Sequence, residues 1–186
     1  MPGTRKPSMH TSEESNARQL ELARRQGAAL GAALDAMDQE SDSGVIVEQR
    51  GDYEIGVAVE EAEGMWHRHD DELVWENPED ENCHVEVCVR DRADGRFVPG
   101  LEVAVTLIGP DGSEVGTHEQ PFLWHPWLYH YGRNWRVPAE GEYRIRVRIR
   151  PPEFKRHDHE NGHRYLDPVE VEFEGVEIEP GRKQVD

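Results

Sequence analysis

From Gly44 onwards, apolar and polar residues alternate with a period of two in most segments of the chain. This alternation is typical of half-buried β-strands, whose successive side chains point to opposite faces. The alternating segments are GVIVEQRGDYEIGVAVEE, CHVEVCVRD, LEVAVTLIGPDGSEVGTHE, EYRIRVRIR and PVEVEFEGVEIEP. Turn signals lie at Gly51-Asp52 and at Pro110-Asp111-Gly112. The pattern predicts an all-β fold, an immunoglobulin-like antiparallel β-sandwich of about seven short strands.

The same alternation assigns side chains to the two faces of each strand. The predicted core residues are Val85, Val87, Tyr143, Ile145, Val147, Val171 and Phe173. The residues predicted to face outward on the first of these strands are His84, Glu86, Cys88 and Arg90. If the last two strands pair, the arginines of EYRIRVRIR face the glutamates of PVEVEFEGVEIEP, and each pair adds about 0.2–1 kcal/mol.

The N-terminal part of the chain has helical rather than strand periodicity. Apolar or small residues recur at three-to-four spacing from Leu20 to Met37, and Thr11 with Glu14 could form a capping box. We expect a flexible tail over 1–10 and a helix that either packs on the domain, is half-disordered, or binds a partner or second copy. The predicted organisation is a tail and candidate helix over 1–43, an immunoglobulin-like domain over 44–181 and a C-terminal tail over 182–186.

Charge and composition exclude some functions. The formal net charge of −18 over 186 residues disfavours a nucleic-acid partner, which needs a basic surface. The two cysteines, Cys83 and Cys88, should point to opposite faces of one strand and indicate no disulfide. The first residues contain no apolar signal segment, which predicts a cytoplasmic location. No apolar run reaches membrane-spanning length, so no direct membrane insertion is expected.

Aromatic and imidazole side chains concentrate in residues 121–138, PFLWHPWLYHYGRNWRVP. Pro126 and Gly132 interrupt this stretch, which predicts an irregular, partly buried loop of the kind that often carries function. On this interpretation the tryptophan and tyrosine side chains form the wall of a site. The alternative is a hydrophobic lid over one end of the sandwich.

Histidines and carboxylates in three segments could together bind a metal. His84 and Glu86 share one strand face, and imidazole with carboxylate suits first-row divalent metals. The other candidates lie in the aromatic stretch and in FKRHDHENGHRY, and they are His125, His130, His157, His159 and His163. The spacing matches neither HExxH nor paired CxxC motifs, and GxSxG is absent, so hydrolytic chemistry is not indicated. A solvated turn is the alternative interpretation of HDHENGH.

Several of these segments together resemble a known family. HVE in a strand, HYG followed by Asn, GEYRIRVRI and FKRHDHENG resemble the bacterial periplasmic iron-uptake proteins, which are copper-binding, immunoglobulin-like partners of iron permeases. The resemblance covers about residues 52–181. It implies a similar fold and a homodimer. It also implies relatives that are periplasmic or extracellular.

The resemblance also implies a set of metal ligands. His84 and Glu86 match the His-x-Glu strand of the family, His130 matches its HYG histidine, and His157 matches the histidine of its Arg-His loop. The family has a methionine upstream of HYG that this chain lacks, and His125 is the nearest group able to coordinate. Imidazole in place of thioether favours Cu2+ over Cu+, with iron as a further candidate. His159 and His163 receive no role from the resemblance.

The sequence therefore predicts a non-enzymatic protein that binds copper or iron, with an iron permease or another metal-handling protein as partner. The alternative is a metal-free sandwich that binds a protein or sugar through residues 121–138. Because metal ligands must be deprotonated, metal affinity is expected to fall as pH drops through the histidine range near ~6.5.

Overall fold

The computed structural model describes residues 8–40 and 44–185. The elements in chain order are α1 (Ala17–Glu40), β1 (Ile46–Arg50), β2 (Tyr53–Glu60), β3 (Met65–His69), β4 (Glu72–Glu76), β5 (Cys83–Asp91), β6 (Glu102–Ile108), β7 (Glu114–Glu119), β8 (Phe122–Trp124), β9 (Tyr129–Trp135), β10 (Gly141–Arg150) and β11 (Val169–Ile178). Residues 1–7 of the predicted flexible tail, residues 41–43 at the end of the predicted N-terminal extension, and Asp186 lie outside the described residues.

The strands form two main antiparallel sheets. One sheet has the order β1-β2-β5-β9-β8 and the other the order β11-β10-β6-β7, while β3 and β4 form a separate two-stranded hairpin. The inner faces of both sheets contribute to one apolar cluster, which includes Val87 and Val147. The structure thus confirms the all-β, immunoglobulin-like antiparallel sandwich with an N-terminal helix.

Cross-strand pairing in the second sheet follows the predicted alternation. In β10, Val147 lies between Val171 of β11 and Val105 of β6, and all seven predicted core residues are buried. On the outer face, the Arg146 guanidinium lies 2.9 Å from the Glu172 carboxylate. The arginine and glutamate rows therefore pair as the sequence predicts.

The helix α1 starts later than the sequence indicates. Its cap is Asn16, whose side chain accepts from the Gln19 amide while the Gln19 side chain accepts from the Asn16 amide. This is a capping box, but it forms five residues beyond the predicted Thr11. The described residues contain no helix that is long and apolar enough to cross a bilayer.

The inner face of α1 covers part of the outer face of the first sheet. Leu34 and Met37 pack in one apolar cluster with Ala58 of β2 and Cys88 of β5. Gly27 permits the close approach of the turn that follows β5, because an added Cβ would lie 1.8 Å from the Asp94 carbonyl oxygen. The helix is therefore docked along most of its length.

Two stretches that the sequence places in irregular connections are hairpins. Residues 121–138 contain β8 and β9, which pair antiparallel, so the prediction of an irregular loop is wrong. Residues 65–76 form β3 and β4 within a stretch that looked like a long polar connection.

At the C-terminus, residues assigned to a tail run along the sandwich: the Lys183 amide donates to the Ala62 carbonyl, and its ammonium group lies 2.6 Å from Glu60.

Candidate metal centre

The register of β5 and β9 brings three predicted ligands together on the outer face of the first sheet. His84 pairs with Asn134 and Glu86 pairs with Gly132, so His130 lies diagonally across from Glu86. The distance from Glu86 Oε1 is 3.8 Å to His84 Nε2 and 3.2 Å to His130 Nε2. One ligand atom from each of the three residues lies within 4.8 Å of the other two. Within the described residues, no other group of three or more histidine, cysteine or carboxylate side chains has its ligand atoms this close together.

The three side chains are buried, although they lie on the strand face that was predicted to point away from the core. His84 is 0% exposed, His130 3% and Glu86 7%. They are buried because the outer side of this sheet is covered by other parts of the chain. Leu123 of β8 lies against Gly132, and the Glu63 backbone hydrogen-bonds to Asn134.

Asn134 fixes the orientation of the His84 ring. The amide nitrogen of Asn134 donates to the Glu63 carbonyl at 2.7 Å, so its Oδ1 is the acceptor for His84 Nδ1–H at 2.9 Å. A hydrogen on Nδ1 leaves a lone pair on Nε2, and Nε2 is the atom that faces Glu86. This is how supporting residues prepare a histidine to coordinate a metal.

Several buried polar atoms at the centre make no hydrogen bond within the described residues. They are His84 Nε2, Glu86 Oε2, and both ring nitrogens of His130. A buried polar atom without a partner costs about 1–3 kcal/mol. The convergence of such atoms from three residues is the pattern expected where an ion supplies the missing interaction, so the residues present fit a divalent metal.

Burial sets the protonation of the three residues before a metal binds. Burial, with smaller contributions from His84 and His125, lowers the pKa of His130 to about 3. Burial also lowers the pKa of His84. For Glu86, burial reinforced by the Glu60 and Glu63 carboxylates raises the pKa to about 8. At neutral pH both imidazoles are therefore neutral and able to donate a lone pair, whereas the carboxyl group retains its proton.

Gly132 provides the space at the centre. An added Cβ would lie 2.9 Å from His84 Nε2, and 3.0 Å from both the His130 ring and the Leu123 side chain. A methyl group would thus occupy the volume that the ligand atoms surround. This gives a physical reason for glycine two residues after His130 on the same strand face.

Replacing Gly132 with alanine should reduce copper affinity at least tenfold while the domain stays folded, because the new methyl group blocks the centre. The measurement is a Cu(II) titration with circular dichroism as a check on folding. Gly116→Ala is the matched control, since Gly116 also lies in a strand but an added Cβ there would meet chiefly His118 and Trp135 side chains. Wild-type affinity in Gly132→Ala would show that the metal does not occupy this space.

His125 lies on the same sheet face as the cluster. Leu123 pairs with His130, so His125, two residues further along, is a diagonal neighbour of His130. Its Nδ1 is buried and makes no hydrogen bond within the described residues. His125 is outside the group of mutually close ligand atoms, but it is near enough to contribute to the lowered pKa of His130.

The structure does not bring His157 to the cluster. Its side chain is 92% exposed, and Nδ1 lies 3.1 Å from Glu14. The segment that carries it is tied to the far end of β5, where Arg164 bonds to Asp91. His84 stands seven residues earlier in this strand, a separation of roughly 23 Å. His159, which is 96% exposed, and His163 belong to the same segment.

The aromatic side chains around His125 and His130 do not enclose the centre as the sequence predicts. Trp124 is 70% exposed, Tyr129 46% and Trp127 43%. Tyr131 and Trp135 point to the opposite side of β9 and pack in the sandwich core. The interpretation of these rings as the wall of a site is therefore wrong for all of them except Trp127, because strand alternation sends the others to solvent or to the core. The Trp127 ring lies edge-on to His125, with ring centroids 5.3 Å apart.

Three functional residues were missed by the sequence interpretation: Gly132, Asn134 and Glu63. The signal for the first two is the spacing HYGRN, which places His130, Gly132 and Asn134 on one face if the segment is a strand. Describing the stretch as an irregular loop removed that signal. The sequence gives no indication of the role of Glu63, because Glu63 lies in the connection between β2 and β3, far along the chain from Asn134.

Comparison with known proteins gives a family and a fold. The sequence profile of a family described as Fe2+ transport protein matches residues 76–177. FetP from uropathogenic Escherichia coli is similar in structure, with a TM-score of 0.58, 18% identity, and coverage of 75% of this chain and 95% of FetP. Copper-reconstituted P19 protein from Campylobacter jejuni has a TM-score of 0.61, 20% identity, and coverage of 74% and 96%. A copper-bound variant of FetP has a TM-score of 0.60 and 20% identity, with coverage of 72% of this chain and 94% of the variant. No curated protein sequence matches the chain.

These matches contradict the predicted cytoplasmic location. The family is one of Fe2+ transport, and the FetP structure comes from protein expressed in the periplasm. The prediction rested on the absence of an apolar segment, and it is wrong.

Proposed function

The chain belongs to the Fe2+ transport protein family, and we propose that it is a non-enzymatic metal-binding protein that handles copper, iron or both. The ligands in this proposal are His84, Glu86 and His130, with His125 as a further donor. The observation that carries it is the convergence of buried, unpartnered ligand atoms from three residues on the space beside Gly132.

The donor set supports copper as the metal to test first. Two neutral imidazoles with one carboxylate suit Cu2+, and structures of FetP and P19 are described as copper-bound or copper-reconstituted. Residues 121–132 contain no methionine, whose thioether would favour Cu+. His84 and His130 would coordinate through Nε2, while Asn134 holds the His84 ring in place.

The direct test is metal analysis of untagged protein, followed by Cu(II) titration and electron paramagnetic resonance spectroscopy. We expect one tightly bound Cu(II) per chain, with hyperfine splitting from nitrogen ligands. Protein that binds no stoichiometric copper and no stoichiometric iron would contradict the proposal.

Copper affinity should fall as pH drops below about 8, by up to about tenfold per pH unit. The sign follows from the raised pKa of Glu86 at about 8: below it the ion must displace a proton, and above it the carboxylate is already free. His130, with a pKa of about 3, stays neutral between pH 5 and 8 and adds no such slope. The loss of copper affinity is thus expected to begin at a higher pH than the ordinary range in which histidine ionises. Titrations from pH 6 to 9 measure it.

Glu86→Gln is the matched variant for the pH experiment, because the amide keeps the shape and cannot ionise. It should bind copper more weakly and lose most of the slope between pH 6 and 8. An unchanged slope in Glu86→Gln would show that another group supplies the proton.

The homodimer, the permease partner and His157 as a ligand also belong to the proposal. Because His157 lies beside the far end of β5, it would need a second copy of the chain or a movement of its segment to reach the centre. Sedimentation analysis with and without copper tests the dimer. Loss of copper affinity in His157→Ala would support its role as a ligand.

A second candidate function is protein or sugar binding through the hairpin of β8 and β9. The observation that favours it is the exposure of Phe122 (50%), Trp124 (70%), Trp127 (43%) and Tyr129 (46%) in one short stretch. Binding through Trp124 does not compete with the metal centre, because Trp124 projects from the opposite face of β8 to Leu123, which lies against Gly132. Trp124→Ala should therefore leave copper affinity unchanged while weakening capture of a partner.

A further inference from the structure

The β3–β4 hairpin carries ligand-type side chains that the metal centre does not use. All of it except Glu76 lies before the segment that matches the family profile. Trp66 and Trp75 pair edge-to-face with ring centroids 5.5 Å apart, and Trp75 Nε1 donates to Asn77. Asn77 in turn donates to the Val185 carbonyl. These contacts hold the base of the hairpin against the domain.

Two histidines and a glutamate converge on one face of this hairpin. His67 and His69 are two residues apart in β3, so both project to the same side. Glu76 of β4 lies on that side as well, because it pairs with Met65. Its two carboxylate oxygens lie 3.8 Å from His67 Nε2 and 2.5 Å from His69 Nε2.

The three side chains are accessible and can move. His67, His69 and Glu76 are 49%, 59% and 44% exposed. The carboxylate stands between the imidazoles, and the three do not form a group with all ligand atoms within 4.8 Å of one another. The three exposed side chains must therefore rotate before all of them can coordinate one ion. This predicts weaker metal binding than at the buried centre.

A cavity lies between this hairpin and residues that neighbour the buried centre. Its volume is about 420 Å³. One side is lined by Met65, His67 and Glu76, and the other by Leu123, Gly132 and Asn134. An ion held by the hairpin would thus stand at the rim of the cavity whose opposite wall includes the glycine of the centre.

We propose that His67, His69 and Glu76 form a second, solvent-facing site for a divalent transition-metal ion such as Cu2+. Two imidazoles at i and i+2 with a facing carboxylate supply the donor types that such ions prefer. The site extends the proposed metal-handling function beyond the buried ligands, and it uses none of them.

The test is Cu(II) titration at pH 7.5 of four proteins: wild type, His130→Ala, His67→Ala/His69→Ala and His159→Ala/His163→Ala. Wild type should show a tight and a weaker binding phase. His130→Ala should lose the tight phase and retain the weaker one. His67→Ala/His69→Ala should weaken the second phase at least tenfold and leave the tight phase intact.

His159→Ala/His163→Ala is the matched control for the hairpin variant. Its two histidines are also exposed and lie in one segment, and His159 Nδ1 lies 3.5 Å from the Glu160 carboxylate. A weaker phase that survives the hairpin variant, or that disappears in the control instead, would overturn the second site. Absence of the tight phase in wild type would instead contradict the proposed function, so the two failures are distinguishable.

Discussion

Val147→Asp should unfold the sandwich. Val147 is 0% exposed and lies at the middle of β10, between Val171 and Val105 of the neighbouring strands. An aspartate there would be an unpaired charge in the apolar core, at a cost of about 4 kcal/mol or more. Since domains of this size are stable by about 5–15 kcal/mol, the variant should be largely unfolded or insoluble. Circular dichroism and urea denaturation measure the effect.

Arg148→Ala is the control for this prediction. Arg148 is the next residue of the same strand, faces outward and is exposed. Its replacement should change the free energy of unfolding by less than about 0.5 kcal/mol. A soluble Val147→Asp protein that unfolds cooperatively like Arg148→Ala would show that the inner face of β10 is not the core.

His130→Ala should raise the Kd for the tightly bound Cu(II) about 100-fold or more, which corresponds to about 2.8 kcal/mol. His130 Nε2 lies 3.2 Å from Glu86 Oε1 and is buried without a hydrogen bond within the described residues. Removing the imidazole leaves His84 and Glu86 as the close ligands. A competition titration against a chelator of known affinity measures the change.

Two variants control for indirect effects of removing His130. His130→Gln fills much of the same volume without the imidazole and should also lose tight binding. His10→Ala removes an exposed histidine that contacts Ser8 and should have no effect. Tight binding that persists in both His130 variants, with an unchanged spectrum, would place the copper elsewhere.

Strand periodicity was enough to predict the sandwich core. Val85 and Val147 alternate with polar residues in uninterrupted strands, and a buried inner face is the only arrangement that satisfies this pattern. The same rule places His84 and Glu86 on one face. These predictions depend on local sequence alone, which is why they were accurate.

The burial of the metal centre could not be predicted in the same way. What covers His84 and Glu86 comes from distant parts of the chain: Glu63, through its bonds to Asn134, and Leu123 of β8. Alternation reports which face a residue is on, but not what packs over that face. The raised pKa of Glu86 is caused chiefly by burial, so it could not be predicted from the sequence.

The third metal-binding segment shows a different limit. His157 was included because of a resemblance in local sequence, which carries no distance information. In the structure its segment is held beside Asp91 by Arg164, at the opposite end of β5 from His84. The hairpin histidines His67 and His69 were overlooked because a polar stretch with few apolar residues gave little strand signal.

Anomalous X-ray diffraction at the copper absorption edge, from crystals of the copper-loaded protein, tests the central claim most directly. We expect a strong peak within about 2–2.3 Å of His84 Nε2, His130 Nε2 and a Glu86 oxygen, in the space beside Gly132. A weaker peak at His67 and His69 would match the second site. A main peak in the segment of His157, His159 and His163, with none between His84 and His130, would show that copper does not bind at the buried centre.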